Sequence, residues 1–99
     1  MILKIDRGSL ELKGPSGNHI RTLATTGVVD ADINSTNTLI LITFLNGKVE
    51  LVKDNGAHVR TLVLEHGLGA RFNGADITIR LDNGRTELLK ENGAHIRYI

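Results

Sequence analysis

The chain has 99 residues, twelve basic against eleven acidic side chains, a formal charge of +1 and no cysteine. That length makes one domain, which folding alone would bury roughly 65% of its unfolded surface and so hold a modest core. Without cysteine there is no disulfide framework and no thiolate metal site, and without a basic stripe no nucleic-acid partner is expected. Only Phe44, Phe72 and Tyr98 are aromatic, so Ile, Leu, Val and Ala must fill the interior.

The opening Met1-Ile2-Leu3-Lys4-Ile5-Asp6 lacks the basic region and long apolar run of a secretory signal. The longest apolar run, Leu39-Ile40-Leu41-Ile42, is far short of the ~20 residues of a membrane span. A soluble, cytoplasmic protein is the expectation.

Taken in order, the chain repeats itself three times. Gly8-Ser9-Leu10-Glu11-Leu12 runs through Gly17-Asn18-His19-Ile20-Arg21-Thr22-Leu23. It returns as Gly47-Lys48-Val49-Glu50-Leu51 through Gly56-Ala57-His58-Val59-Arg60-Thr61-Leu62, and as Gly84-Arg85-Thr86-Glu87-Leu88 through Gly93-Ala94-His95-Ile96-Arg97-Tyr98-Ile99. The starting glycines are 39 and then 37 residues apart, a period that marks stacked identical units. The single repeat domain divides into units at 1–26, 27–64 and 65–99.

In the middle unit, Val28 to Ile33 reads as a first strand and Asn34-Ser35-Thr36-Asn37 as a polar turn. Leu39 to Phe44 is a second strand, apolar on both faces and so buried on both sides. Val49 to Lys53 and His58 to Leu62 are the third and fourth. The third unit repeats this, with Leu68, Ala70 and Phe72 for Val29, Ala31 and Ile33, and Ile77, Ile79 and Leu81 for Ile40, Ile42 and Phe44. In the first unit Met1, Leu3 and Ile5 take those second-strand places, so one first strand is missing and eleven strands are expected. No segment sustains a helical apolar period between caps.

Six turns end in glycine: Asp6-Arg7-Gly8, Pro15-Ser16-Gly17, Leu45-Asn46-Gly47, Asp54-Asn55-Gly56, Asp82-Asn83-Gly84 and Glu91-Asn92-Gly93. All suit a three-residue hairpin loop whose last residue is left-handed. With 54–56 as a loop, Lys53 should face Ala57, Leu51 face Val59 and Glu50 face Arg60. The same register pairs Glu11 with Arg21 and Glu87 with Arg97, which would explain the recurring Glu and Arg as cross-strand ion pairs.

A four-stranded meander of about 38 residues with tight turns resembles a β-propeller blade. The resemblance covers the whole chain but carries no Trp-Asp signature and no double-glycine Kelch motif. It is most similar to the short propeller-type repeats of small phage and prophage proteins of unassigned role, which would place the protein in a phage or its virion. Three blades are too few to close a ring, since propellers carry 4–8. Two apolar end faces would lie open, so head-to-tail homodimerisation is expected to complete six blades. The rival architecture is a monomeric β-trefoil.

Candidate site residues are those the repeat returns: His19, His58 and His95, with Arg21, Arg60 and Arg97. A shared zinc ion would need the three imidazoles within a few ångströms of each other, whereas stacked sheets lie ~10 Å apart, so no metal is expected. Asp30 and Asp32 face the same way on one strand and read as polar lining of a central channel. His66, in Glu65-His66-Gly67, reads as a solvated loop residue. Ser9, Ser16 and Ser35 have no nucleophile-elbow context, and no asymmetric catalytic constellation or cofactor motif is present.

The expected function is a non-enzymatic, self-assembling scaffold or protein-interaction module. Its ligand surface would be the channel mouth or edge loops such as Asn34 to Thr38. The alternative is a multivalent glycan or small-ligand binder with one site per repeat.

Overall fold

The computed structural model describes residues 1–99. It contains β1 (Ile2–Asp6), β2 (Ser9–Lys13), β3 (His19–Ala24), β4 (Val28–Ile33), β5 (Leu39–Phe44), β6 (Val49–Lys53), β7 (His58–Val63), β8 (Gly67–Asn73), β9 (Asp76–Leu81), β10 (Thr86–Lys90) and β11 (His95–Tyr98). The eleven expected strands are present and no helix is long and apolar enough to cross a membrane. They form three separate antiparallel meanders, β1-β2-β3, β4-β5-β6-β7 and β8-β9-β10-β11. Three distinct sheets do not make the closed barrel of a trefoil.

Five of the six glycine turns are the expected three-residue loops. At 54–56, Gly56 N–H donates to Lys53 C=O at 2.9 Å and Lys53 N–H to Ala57 C=O at 2.8 Å. The middle asparagine completes the loop, Asn55 Oδ1 accepting Ala57 N–H at 2.9 Å. Asn46, Asn83 and Asn92 do the same for Lys48, Arg85 and Ala94. The exception is the first turn. Asp6 faces Ser9 directly across Arg7 (φ 52) and Gly8 (φ 80), a two-residue loop with both central residues left-handed.

That shorter turn moves β1 by one residue and exchanges its faces. Leu3 faces Leu12 as Leu41 faces Leu51, and Lys4 faces Glu11 as Ile42 faces Glu50. Leu3, not Ile2, therefore packs toward the second sheet. The places that Ile40, Ile42 and Phe44 fill in the second sheet fall to Ile2, Lys4 and Asp6 in the first, not to Met1, Leu3 and Ile5.

The register of the outer strands also differs from expectation. Bulges between Leu51 and Val52, and again between Val49 and Glu50, set Leu51 opposite Arg60 and Glu50 opposite Thr61. Glu11 likewise faces Thr22, and Glu87 faces Tyr98. The Glu–Arg cross-strand pairs do not form. An extra residue per bulge moves Arg60 to the other face of its strand.

The core lies between sheets. Leu10, Leu12, Val28, Ile40, Ile42 and Val52 are buried at the first joint. Leu41, Val49, Leu51, Ala70, Ile77, Ile79 and Leu89 are buried at the second. Strand β5 sends alternate residues to each joint, which is why it is apolar on both faces.

The two end faces are not the expected apolar flanks. The outer face of the first sheet carries Ile2, Lys4, Asp6, Glu11 and Lys13, following the pairings of β1 with β2. The outer face of the third carries Asp76, Thr78, Arg80, Thr86 and Leu88 where the second has Leu39, Leu41, Thr43, Val49 and Leu51. The chain exposes 5637 Å², close to the ~5,500 Å² that a globular monomer of this mass exposes.

Gly47 shows where backbone crowding is most severe. It has φ +89, and a Cβ there would lie 2.3 Å from His66 N. Gly47→Ala is expected to cost about 3 kcal/mol in urea unfolding, against about 1 kcal/mol for Gly84→Ala, where φ is +87 but the space is open. Thr43 is 1% exposed and its Oγ1 has no partner. Thr43→Val should raise stability by about 1 kcal/mol in the same assay.

Candidate functional site

The repeated arginines sit on the fourth strand of each unit, where the bulge turns them toward the next sheet. Arg21 Nη1 donates to Asn55 C=O at 3.0 Å, and Arg60 Nη1 donates to Asn92 C=O at 2.9 Å. Each guanidinium thus grips the apex of the turn in the following sheet. Arg97 holds the same place on β11, which is exposed throughout and has no following sheet in the chain. The place of Asn55 and Asn92 in the first unit belongs to Ser16.

The three histidines lie on three different sheets. His19 Nδ1 approaches Glu11 Oε1 at 3.2 Å and His95 Nδ1 approaches Glu87 Oε2 at 2.6 Å. In the second sheet Lys48 Nζ takes Glu50 at 2.8 Å, and His58 Nε2 turns to Thr61 Oγ1 at 3.2 Å. The repeated Glu therefore bonds a side chain of its own sheet, and the repeated Arg serves the neighbouring one. Tyr98 is likewise engaged, with Arg85 5.0 Å over its ring and the His95 ring 4.8 Å away.

Asp30 and Asp32 also join sheets. Asp32 Oδ2 accepts Phe72 N–H at 2.9 Å, and Asp30 binds the Arg71 guanidinium through both oxygens, one at 3.1 Å. Gly69 makes this possible, since a Cβ there would lie 2.8 Å from Asp30 Oδ2. Beside this cluster a concavity of about 420 Å³ is lined by Gly69, Ala70, Arg71, Thr78, Arg80 and Thr86. The Asn34–Thr38 loop is closed on itself, Asn34 Oδ1 accepting Thr38 N–H at 2.8 Å and Leu39 N–H at 3.1 Å.

His66 is more than a solvated loop residue. Gly67 N–H donates to Gly47 C=O and Asp82 N–H to His66 C=O, both at 2.8 Å, as Val28 N–H donates to Gly8 and Leu45 N–H to Gly27. His66 thus stands where the preceding unit has Gly27, with φ 75 against 77. A non-glycine residue in that conformation costs roughly 1 kcal/mol or more. Its ring bonds Asp82 Oδ2 through Nδ1 at 2.9 Å and approaches Glu65 through Nε2 at 3.3 Å. The hydrogen bond and charge of Asp82, then the charge of Glu65, raise its pKa above the ordinary 6.5. Only the glycine in the equivalent place marked this position in the sequence.

No family model matches the chain, and no curated protein matches it. Solved structures do. BamB from Moraxella catarrhalis superposes with a TM-score of 0.77 at 16% identity, over 98% of this chain and 31% of that one. The Myceliophteria thermophila Cps50 (Swd1) beta-propeller domain superposes with a TM-score of 0.70 at 15% identity, over 97% of this chain and 37% of that one. The three sheets are therefore blades of β-propeller fold, and the chain spans about a third of the length of either neighbour.

A histidine whose folded pKa is raised adds stability that is complete below its unfolded value of 6.5 and is lost as pH rises through the folded value. NMR titration of His66 should give a midpoint above 6.5, moving toward the ordinary value in Asp82→Asn. The stability of the wild type relative to His66→Gly should fall as pH rises through that midpoint.

Proposed function

We propose that the protein is a non-catalytic interaction module of propeller type, assembled head to tail from two copies into one ring. The observation that carries this reading is Arg97. Two of the three repeated arginines close a joint between blades, and the third points outward from the last blade with the same local structure. In a ring its acceptor is the Ser16 carbonyl of a second copy, on the turn that occupies the place of Asn55 and Asn92.

The charges of the two end faces support the same partner. Arg80 and Thr86 lie at the end of the third blade toward the 82–84 turn, and Asp6 and Ser9 lie at the matching end of the first. Asp76 and Lys90 lie at the opposite end, matching Ile2 and Lys13. Successive blades keep one orientation, so Arg80 comes level with Asp6 of the next copy and Asp76 level with Lys13. Such a seam is polar, unlike the two apolar joints within the chain. It makes association salt-dependent.

A scaffold or binding role follows from the repetition. The polar side chains are spent on joints, and no nucleophile, base and orienting group converge. The likeness to phage-encoded repeats adds nothing to this reading, and neither structural neighbour's name points to a phage.

Light scattering should give a mass twice the 10.8 kDa of one chain, shifting toward one chain in high salt. Arg97→Met should weaken dimerisation at least tenfold without changing the unfolding of the monomer. Arg60→Met should instead cost about 1 kcal/mol of chain stability. Arg80→Asp should abolish the dimer and Arg80→Asp combined with Asp6→Arg should restore it. A single-chain mass at all concentrations refutes the ring.

A further inference from the structure

We propose that Asn73-Gly74, in the turn joining β8 to β9, is a site of spontaneous covalent modification at which the asparagine amide is lost as ammonia. The product is a mixture of aspartate and isoaspartate, and it forms in the single chain and in a ring alike.

The reaction needs an asparagine followed by glycine, a glycine nitrogen free to lose its proton, and a side chain free to reach that nitrogen. The Gly74 nitrogen attacks Asn73 Cγ, a C–N bond forms, and the Cγ–Nδ2 bond breaks. Nδ2 leaves as ammonia with the proton that Gly74 gives up. Water then opens the resulting cyclic imide. Opening at Cγ leaves aspartate, and opening at the Asn73 main-chain carbonyl leaves isoaspartate. Nothing is oxidised or reduced.

The chain has five Asn-Gly steps, at Asn46, Asn55, Asn73, Asn83 and Asn92. All five asparagines are exposed, so access to water does not rank them. Hydrogen bonding does. In the four three-residue loops the glycine N–H is committed: Gly47 donates to Phe44 C=O, Gly56 to Lys53 and Gly93 to Lys90, all at 2.9 Å, and Gly84 to Leu81 at 3.1 Å. The asparagine is committed too, each Oδ1 accepting the N–H of the residue after the glycine at 2.9 or 3.0 Å. Both bonds must break before the ring can close.

Asn73-Gly74 lacks both restraints. Asn73 pairs with Asp76 across Gly74 and Ala75. Gly74 has φ +61, whereas Ala75 is not left-handed. This is a two-residue hairpin turn of type II′, in which the N–H of the first central residue has no place in the ladder. Neither the Gly74 N–H nor the Asn73 carboxamide is held as its counterparts are in the four loops. The space around Gly74 is open.

The product acts on a joint between blades. Asn73 faces Asp76 directly, so a carboxylate at 73 meets a like charge across the turn. Isoaspartate also adds one carbon to the main chain, which disturbs the register of a two-residue turn. The adjoining Phe72 packs against the second core, and Asp32 holds its N–H at 2.9 Å. Asp30 holds Arg71 beside it. Modification therefore loosens the inner edge at which the second and third blades meet.

The test warms the folded protein in mildly alkaline buffer and follows each Asn-Gly step by peptide mapping and mass spectrometry. Asn73 is expected to convert at least tenfold faster than any of the other four, giving both products. In urea the five should react at similar rates. Another asparagine that keeps pace with Asn73 in the folded chain overturns the proposal. So does a lead for Asn73 that persists undiminished in urea, since sequence neighbours and not bonding would then set it. Asn73→Gln, whose longer side chain closes a ring far more slowly, supplies a second readout. The wild type should lose thermal stability during the incubation while Asn73→Gln keeps its own, and equal losses in the two overturn the assignment to this turn.

Discussion

The structure depends on sheets burying one another. A meander of three or four short strands has no interior of its own, and a side-chain period of two gives it two faces to cover. Three sheets in series make two joints, and both are dry: Leu10, Leu12, Ile40 and Ile42 meet at one, and Leu41, Leu51, Ile77 and Ile79 at the other. Burying an Ile or Leu side chain contributes about 1.5–3 kcal/mol, so these contacts outweigh any ion pair on the surface. The polar contacts decide something else, namely the angle and level at which one blade meets the next. Arg21 and Arg60 fix the outer rim, the Gly8 and Gly47 carbonyls fix the crossing between units, and Asp30 and Asp32 fix the inner edge.

Strand positions and most turns were legible in the sequence because they depend on local chemistry. Alternating Ile, Leu and Val bounded by Asn-Gly loops can form little other than hairpins, and five of the six loops follow the glycine that ends them. What sequence did not reveal depends on counting residues across a ladder. One extra residue in β7 undid the expected pairing of Glu50 with Arg60, and no composition signal marks a bulge when the extra residue is an ordinary Val59 or Leu62. The expected ion pair and the observed grip on Asn92 use the same arginine, and the difference is one rotation of a strand.

The end faces were misread for a related reason. Aligning the units on glycine assigned Leu3 to the place of Ile42 and so made the outer face of the first blade apolar. The turn at Arg7-Gly8 is one residue shorter than its counterparts, and that residue exchanges the faces of β1. Lys4 and Asp6 then come outward together, and that face of the first blade becomes charged. In the third blade the change is in composition: Thr78, Arg80 and Thr86 replace Leu41, Thr43 and Val49 in an otherwise faithful repeat. That departure was readable, but only once it was known which parity faced outward.

A polar seam has a kinetic and a thermodynamic consequence that an apolar one lacks. If copies met through faces like the internal joints, the joined state would be as permanent as the fold, and the separated chain would aggregate through its exposed leucines. Charged faces would let the single chain remain folded in water, and in the proposed ring would leave association to a few directed contacts whose strength falls with salt. The position of Arg97 fits that division of labour. Arg21 and Arg60 act on joints that the hydrophobic core already holds, so each adds alignment to an existing contact. At a proposed seam with little apolar area the same guanidinium would bear a larger share of the free energy, because fewer other contacts would hold the two copies together. In the proposed ring one repeated residue would serve as a positioning device twice and as a principal contact once, and the difference would come from what lies beside it and not from its own geometry.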